Sequence, residues 1–154
     1  MNFLGFFTMY MIMLFTYRSF AAGLYLLAPL VLANIMVNAY MAVKHIGVNI
    51  HTLPLVTVGL GFGIDYGLYI VSRTIEEIRV RGDLQDSVRE ALVTSGKAVS
   101  FTAIIMVMST VFWISSNIRF NAEMGWLLAI WMAISYVGSQ TLTPVLIILL
   151  RPRF

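Results

Sequence analysis

Asp65 is the residue of this chain best placed to do chemistry. It stands inside a long apolar run, Leu53-Pro54-Leu55-Val56-Thr57-Val58-Gly59-Leu60-Gly61-Phe62-Gly63-Ile64-Asp65-Tyr66-Gly67-Leu68-Tyr69-Ile70-Val71-Ser72-Arg73. A carboxylate at the centre of a membrane helix costs roughly 2.5–3.5 kcal/mol on insertion scales, and acids kept there mark ion or proton pathways. Burial disfavours the charged form of a carboxyl, whereas a nearby cation or hydroxyl donor favours it. An acid held between those influences can load and release a proton as its surroundings alternate. The bland reading of Asp65 is a buried carboxyl that hydrogen-bonds a neighbouring helix.

The spacing around Asp65 separates two faces of one helix. Gly59, Gly63 and Gly67 recur every four residues and form a small-xxx-small stripe that lets another helix approach closely. Asp65 points away from that stripe, alongside Gly61, Tyr69 and Ser72. Tyr66 lies about 100° round the helix from Asp65, so it reaches another helix or serves as packing with a satisfied hydroxyl. Thr102 and Ser109 share a face at i, i+7 and could donate to a carboxylate, or bond their own helix backbone instead. Polar pairs at i, i+4, Asn34 with Asn38 and Ser135 with Ser139, read as glue between helices. Tyr69, Ser109, Asn34 and Asn38 are the remaining candidates for polar support of the acid. No Lys, Arg or His falls at membrane depth, so a cationic counter-charge has to come from outside this chain.

Other chemistries find no footing. The absence of cysteine excludes disulfides, thiolate nucleophiles and cysteine metal sites. His45 and His51 flank a short loop without a ligand cluster, and no base accompanies any serine, so neither a metal site nor an enzyme is expected. The glycines of 59–67 resemble a phosphate-binding string, but that fingerprint needs a strand before it and a helix opening after it. Here they sit within an apolar span, and no cofactor is expected. A net charge of +3, dispersed along the chain, gives no footprint for nucleic acid.

The elements that position Asp65 follow from composition. The chain has 154 residues, of which 60% are hydrophobic and 11% charged, against about a quarter charged in soluble domains. Segments apolar on all sides for about 20 residues match a hydrocarbon core roughly 30 Å thick. The expected fold is all-α: a single domain over 1–154, with five spans at about 3–17, 20–43, 53–72, 98–115 and 124–150. The first span is short at its start, which suggests a longer parent chain or a tilted helix with local bilayer thinning. No basic region or cleavage pattern marks a signal peptide. Pro29 and Pro144 are positioned to kink the second and fifth spans.

Eight of the ten Lys and Arg residues fall on one side, in the first turn (Arg18), in the long connection (Arg73, Arg79, Arg81, Arg89, Lys97) and in the tail (Arg151, Arg153). The positive-inside rule then puts the connection and the C-terminus in the cytoplasm and the N-terminus outside. The connection, about 74–96, reads as a cytoplasmic amphipathic helix. Glu76 can pair with Arg79 and Glu77 with Arg81; Gly82 interrupts, Asp83 is an N-cap, and Leu84, Val88, Ala91, Leu92 and Ser95 share a face.

Gly61-Phe62-Gly63-Ile64-Asp65-Tyr66-Gly67-Leu68-Tyr69, followed by Arg73, resembles the G-x-G-x-D-Y signature of the RND superfamily, in particular its MmpL-like branch, which is related to sterol-sensing and Patched-like membrane domains. The order of elements is similar as well: an Arg18-Ser19 pair, a helix, the Asp-Tyr helix, a charged connector and two more helices. Ser95-Gly96-Lys97-Ala98-Val99-Ser100-Phe101-Thr102 is similar to the family's entry into the next span. The resemblance covers essentially the whole chain. It implies a transporter driven by proton-motive force, of which this chain matches the last five helices of one six-helix repeat, the C-terminal one. It further implies a proton relay through Asp65 and Tyr66, with Thr102 at a hydroxyl position of the following span. The implied partners are the lipid bilayer, the other transmembrane repeat, periplasmic domains and a lipid or hydrophobic substrate, in a bacterial inner membrane; self-association is left open. The chain lacks the double Asp of the multidrug-pump branch, which counts against that branch. Two other classes stay open: a sterol- or lipid-sensing binding module that moves no protons, and a purely structural subunit.

Overall fold

A computed structural model describes residues 2–17, 20–47 and 53–150. Its helices are α1 (Asn2–Tyr17), α2 (Phe20–Val43), α3 (Leu53–Arg81), α4 (Leu84–Phe112) and α5 (Arg119–Leu150), with a single 3-10 turn at Trp113–Ser115; no strand occurs among the described residues. The chain is an all-α helical membrane bundle. Helices α2 to α5 are each long and apolar enough to cross a bilayer. α1 is a shorter apolar helix, about 24 Å long at 1.5 Å per residue. Arg18, Ser19, His51, Arg151 and Arg153 lie outside the described residues.

The connector is helical on both sides of Gly82, and its two parts continue the neighbouring spans. α3 runs without a break to Arg81 and α4 starts at Leu84, so residues 74–96 are the end of one long helix and the start of the next. No Gly or Pro interrupts α3 after Gly67, and ion pairs brace its last turns. Glu77 is held between Arg73 (2.7 Å) and Arg81 (2.9 Å), one helical turn to either side. Glu76 pairs with Arg73 at 2.9 Å rather than with Arg79, because Arg73 forks between both acids. Gly82 takes the left-handed conformation (φ 73°) that ends the helix, and Asp83 caps α4 by accepting from the Asp86 N–H at 3.4 Å. Arg81 also reaches Glu90 of α4 at 3.4 Å, tying the two helices across the turn.

At the other end of the molecule α2 closes on itself. His45, at φ 54°, is the left-handed residue after the helix, and the Ile46 N–H reaches back to the Met41 carbonyl at 2.9 Å. His45 is exposed. Trp126 of α5 donates its indole N–H to the Tyr40 hydroxyl (2.6 Å), an aromatic pair suited to a membrane interface. The Tyr17 hydroxyl and Ser72 Oγ, 2.7 Å apart, join α1 to α3.

α3 touches each of the other four helices, and α5 packs on α2, α3 and α4. The glycines allow this closeness. A Cβ on Gly59 would lie 2.7 Å from the Trp131 ring, one on Gly67 would lie 2.8 Å from Leu26, and one on Gly63 would lie 2.5 Å from Leu30 and 2.9 Å from Ser135 Oγ. Pro29 of α2 sits against Gly138 of α5 in the same way, at 2.8 Å. Asn34 and Asn38 do not join helices: Asn38 donates to the Asn34 backbone and side-chain oxygens (2.8 and 2.9 Å) within α2, because Asn38 lies on an exposed face.

Overfilling a packed interface typically costs about 1–3 kcal/mol. Gly63→Val is therefore expected to lower the melting temperature of the detergent-solubilised protein clearly, while Gly61→Ala, whose Cβ meets nothing within 4 Å, leaves it unchanged. Equal melting temperatures for Gly63→Val and wild type would contradict this packing.

Candidate functional site

The side of α3 opposite its glycine stripe faces a cleft shared with α4. A cavity of about 350 Å³ lies there, lined by Phe62, Asp65, Tyr66 and Tyr69 of α3 and by Ser95, Ala98, Val99, Thr102 and Met106 of α4. A shallower hollow formed by Val58, Gly61, Phe62 and Asp65 continues beside it. Asp65 therefore sits on an open face of the bundle, and Tyr69 next to it is 60% exposed. Among the described residues Asp65 has neither a hydrogen-bond nor an ion-pair partner. The nearest cation along its own helix, Arg73, is eight residues on, about 12 Å, and is engaged by Glu76 and Glu77.

The hydroxyl candidates divide. Thr102 lines the cavity with Asp65, and its hydroxyl donates to the Ala98 carbonyl of its own helix at 3.1 Å. Ser109, two turns away, is exposed and is not part of the lining. Asn34 and Asn38 are on α2, away from this cleft.

Tyr66 turns inward instead. It is 3% exposed and packs with Val99 and Ala103 of α4 and edge-to-face on Tyr136 of α5, with ring centroids 6.1 Å apart at 84°. Its hydroxyl is buried without a hydrogen-bond partner. An unpaired buried hydroxyl costs about 1–3 kcal/mol. Asp65 and Tyr66 thus share the cavity lining but differ in setting, the acid exposed and the phenol buried against α4 and α5.

Ser95, Ser100, Tyr136 and Gln140 also belong to this neighbourhood, and sequence reasoning had not singled them out as site residues. Tyr136 and Gln140 stand at i, i+4 on α5, the same signal that marks the Asn34 and Ser135 pairs. Ser135 and Ser139 are fully buried on α5; Ser139 donates to the Tyr136 carbonyl at 2.8 Å, and Ser135 Oγ is unpartnered beside Gly63. No cluster of three or more metal-ligating side chains occurs among the described residues.

The family model for the MMPL family matches residues 1–153. The chain belongs to the MMPL family. It is accordingly an MmpL-like, multi-pass membrane protein of the RND superfamily. The chain is 52% identical over 59 residues to the trehalose monomycolate exporter MmpL3 of Mycolicibacterium smegmatis, a stretch covering 38% of this chain and 6% of that protein. To the mycolic acid-containing lipids exporter MmpL11 of the same organism it is 34% identical over 88 residues, 56% of this chain and 9% of the relative. A putative membrane protein of Methanocaldococcus jannaschii aligns over 138 residues at 26% identity, covering 90% of this chain and 36% of the relative. This MMPL chain thus spans only a small part of the exporters it matches. No solved structure matches it.

An acid that opens onto an apolar cleft can be reached by an apolar reagent. A hydrophobic carbodiimide is expected to modify Asp65, as mapped by peptide mass spectrometry, and to leave the corresponding peptide of Asp65→Asn unmodified. Absence of the adduct on the wild-type peptide would mean that the carboxyl is not accessible from the cleft.

Proposed function

We propose that this MMPL chain is the proton-translocating membrane half of an exporter of lipids or other hydrophobic compounds driven by proton-motive force. The observation that carries the reading is the unpaired Asp65 carboxyl, mid-helix in a cavity whose other polar lining side chains are hydroxyls. A carboxyl without a fixed counter-ion is free to change its charge when the cavity opens or closes, which is the requirement for a carrier of protons. Asp65 is the carrier, Tyr66 the phenol beside it that links it to the bundle interior, and Thr102 the hydroxyl across the cleft. The lipid cargo rests on relatives named as exporters of trehalose monomycolate and of mycolic acid-containing lipids.

In this scheme Asp65 takes up a proton from the outside. Neutralising it removes the cost of holding a charge against lipid-like surroundings, so the helices around the cleft can close over it. The proton then leaves to the cytoplasm as the cleft reopens toward that side. The open face of α3 is where the other transmembrane repeat docks and contributes its own polar groups, and the cycle drives extracytoplasmic domains that handle the cargo. The chain lies in the inner membrane of a bacterium with the α3–α4 turn and the C-terminus in the cytoplasm.

Proton flux in proteoliposomes that hold the full-length exporter, this chain together with the other transmembrane repeat, read with an entrapped pH dye under an imposed pH gradient, tests the relay. Asp65→Asn is expected to reduce flux to the level of empty liposomes while expression and melting temperature stay at wild-type values. Wild-type flux in that variant would remove Asp65 from the pathway and favour a lipid-binding module that moves no protons. The orientation has a separate test, helped by the absence of cysteine from these 154 residues. Gln85→Cys, exposed just after the α3–α4 turn, is expected to react with a membrane-impermeant maleimide only after the cytoplasmic side is opened.

A further inference from the structure

Three polar groups behind the cleft form an anchored chain. Ser100 Oγ on α4 donates to the Gly96 carbonyl of its own helix at 2.7 Å, and lies 2.8 Å from the Tyr136 hydroxyl of α5. A serine has one hydroxyl proton, and that proton is spent on Gly96. Tyr136 is therefore the donor in the second bond, and its O–H is committed to Ser100. The same Gly96 carbonyl accepts from Gln140 Nε2 at 3.0 Å, one turn further along α5. Gly96 is the residue that permits this: a Cβ there would stand 3.1 Å from the Gln140 side chain. The ring of Tyr136, fixed at its hydroxyl end, is the surface against which Tyr66 lies edge-to-face, and Val99 and Ala103 pack with Tyr66 in the same cluster.

We infer that Tyr136, anchored by Ser100, is a positioning residue for Tyr66: the hydroxyl pair fixes the ring that fixes the phenol next to Asp65. This inference rests on the relay reading above. Relative to Tyr66, α3 presents Asp65 and Tyr69 as titratable neighbours and α5 presents Tyr136; α4 offers the hydroxyls of Ser95 and Thr102 but no charged side chain in the cavity lining. With Ser100 holding it, Tyr136 keeps its oxygen on the α4 side. Without that bond the ring can turn, and Tyr66 loses the wall that sets its direction.

The test uses the same proteoliposome flux, measured across a range of pH. Tyr136→Phe keeps the ring and removes the anchor from one side, and Ser100→Ala removes it from the other. Each is expected to lower flux about two- to tenfold, the equivalent of one net hydrogen bond, and to displace the pH profile in the same direction. The double variant should lose no more than either single one, because both delete the same bond. Gln140→Ala breaks a second α4–α5 contact without touching Tyr136, and should lower the melting temperature while leaving the pH profile in place. If Asp65→Asn abolishes flux but Tyr136→Phe keeps the wild-type profile, or if the two losses simply add, the positioning role is overturned and the relay stands. If Asp65→Asn keeps its flux, or the wild type passes no protons, both fall together.

Discussion

Helix α3 has to satisfy two opposed demands, and the rest of the bundle is arranged around that conflict. Lipid supplies no hydrophobic force to bring helices together, so close backbone approach must hold them. On one side α3 meets this with bare backbone at Gly59, Gly63 and Gly67, against which Trp131, Leu30, Ser135 and Leu26 press. The opposite side cannot be packed in the same manner, because a carboxyl sealed against apolar atoms without a partner would be prohibitively costly. It opens instead onto a cavity. The tightness of one face permits the looseness of the other: α3 is gripped by four neighbours and still leaves Asp65 accessible.

The handling of polar groups repeats this division. Many hydroxyls fold back onto their own helix, as Thr8, Thr16, Thr74, Thr94, Thr102 and Thr141 each do with the carbonyl four residues before. The departures cluster inside the bundle. Tyr66, Arg73, Trp131, Ser135 and Thr143 each keep a buried polar atom without a partner, and three of these five belong to α5. α5 therefore places unspent hydrogen-bonding capacity beside the helix that carries the acid. The Tyr136–Ser100 pair is the point at which this interior polarity is tied down.

At the Gly82 end the α3–α4 hairpin is braced by charge. Glu77 is nearly buried between two arginines on its own helix, and Arg81 continues to Glu90 across the turn. Such pairs are individually weak when exposed, but a shared and largely buried carboxylate joins them into one network. Both helices that line the cavity thus meet at one turn that these ion pairs brace.

Much of the architecture was legible in the residues alone because membrane constraints act locally. The length of an apolar run, the i, i+4 recurrence of glycine and the rarity of charge each depend on one helix and on the bilayer, so the helices, the isolated acid and the separation of Asp65 from the glycine stripe follow from composition and period. Gly82 with Asp83 was readable as a helix break for the same reason. The continuity of α3 and α4 through the supposed connector was not, since apolar patterning fades where a helix leaves the membrane while its ion pairs carry it on. Pairwise geometry belonged to the tertiary structure. Asn34 and Asn38 proved to bond each other, Glu76 took Arg73 rather than Arg79, and Tyr66 met Tyr136, a partner 70 residues away. A helical wheel gives the direction of a side chain but not what stands opposite it. The sequence by itself determined that an acid would sit exposed to a packing problem at membrane depth; only the folding of α4 and α5 against α3 decided which hydroxyls surround it, because contact between distant segments depends on how whole helices cross.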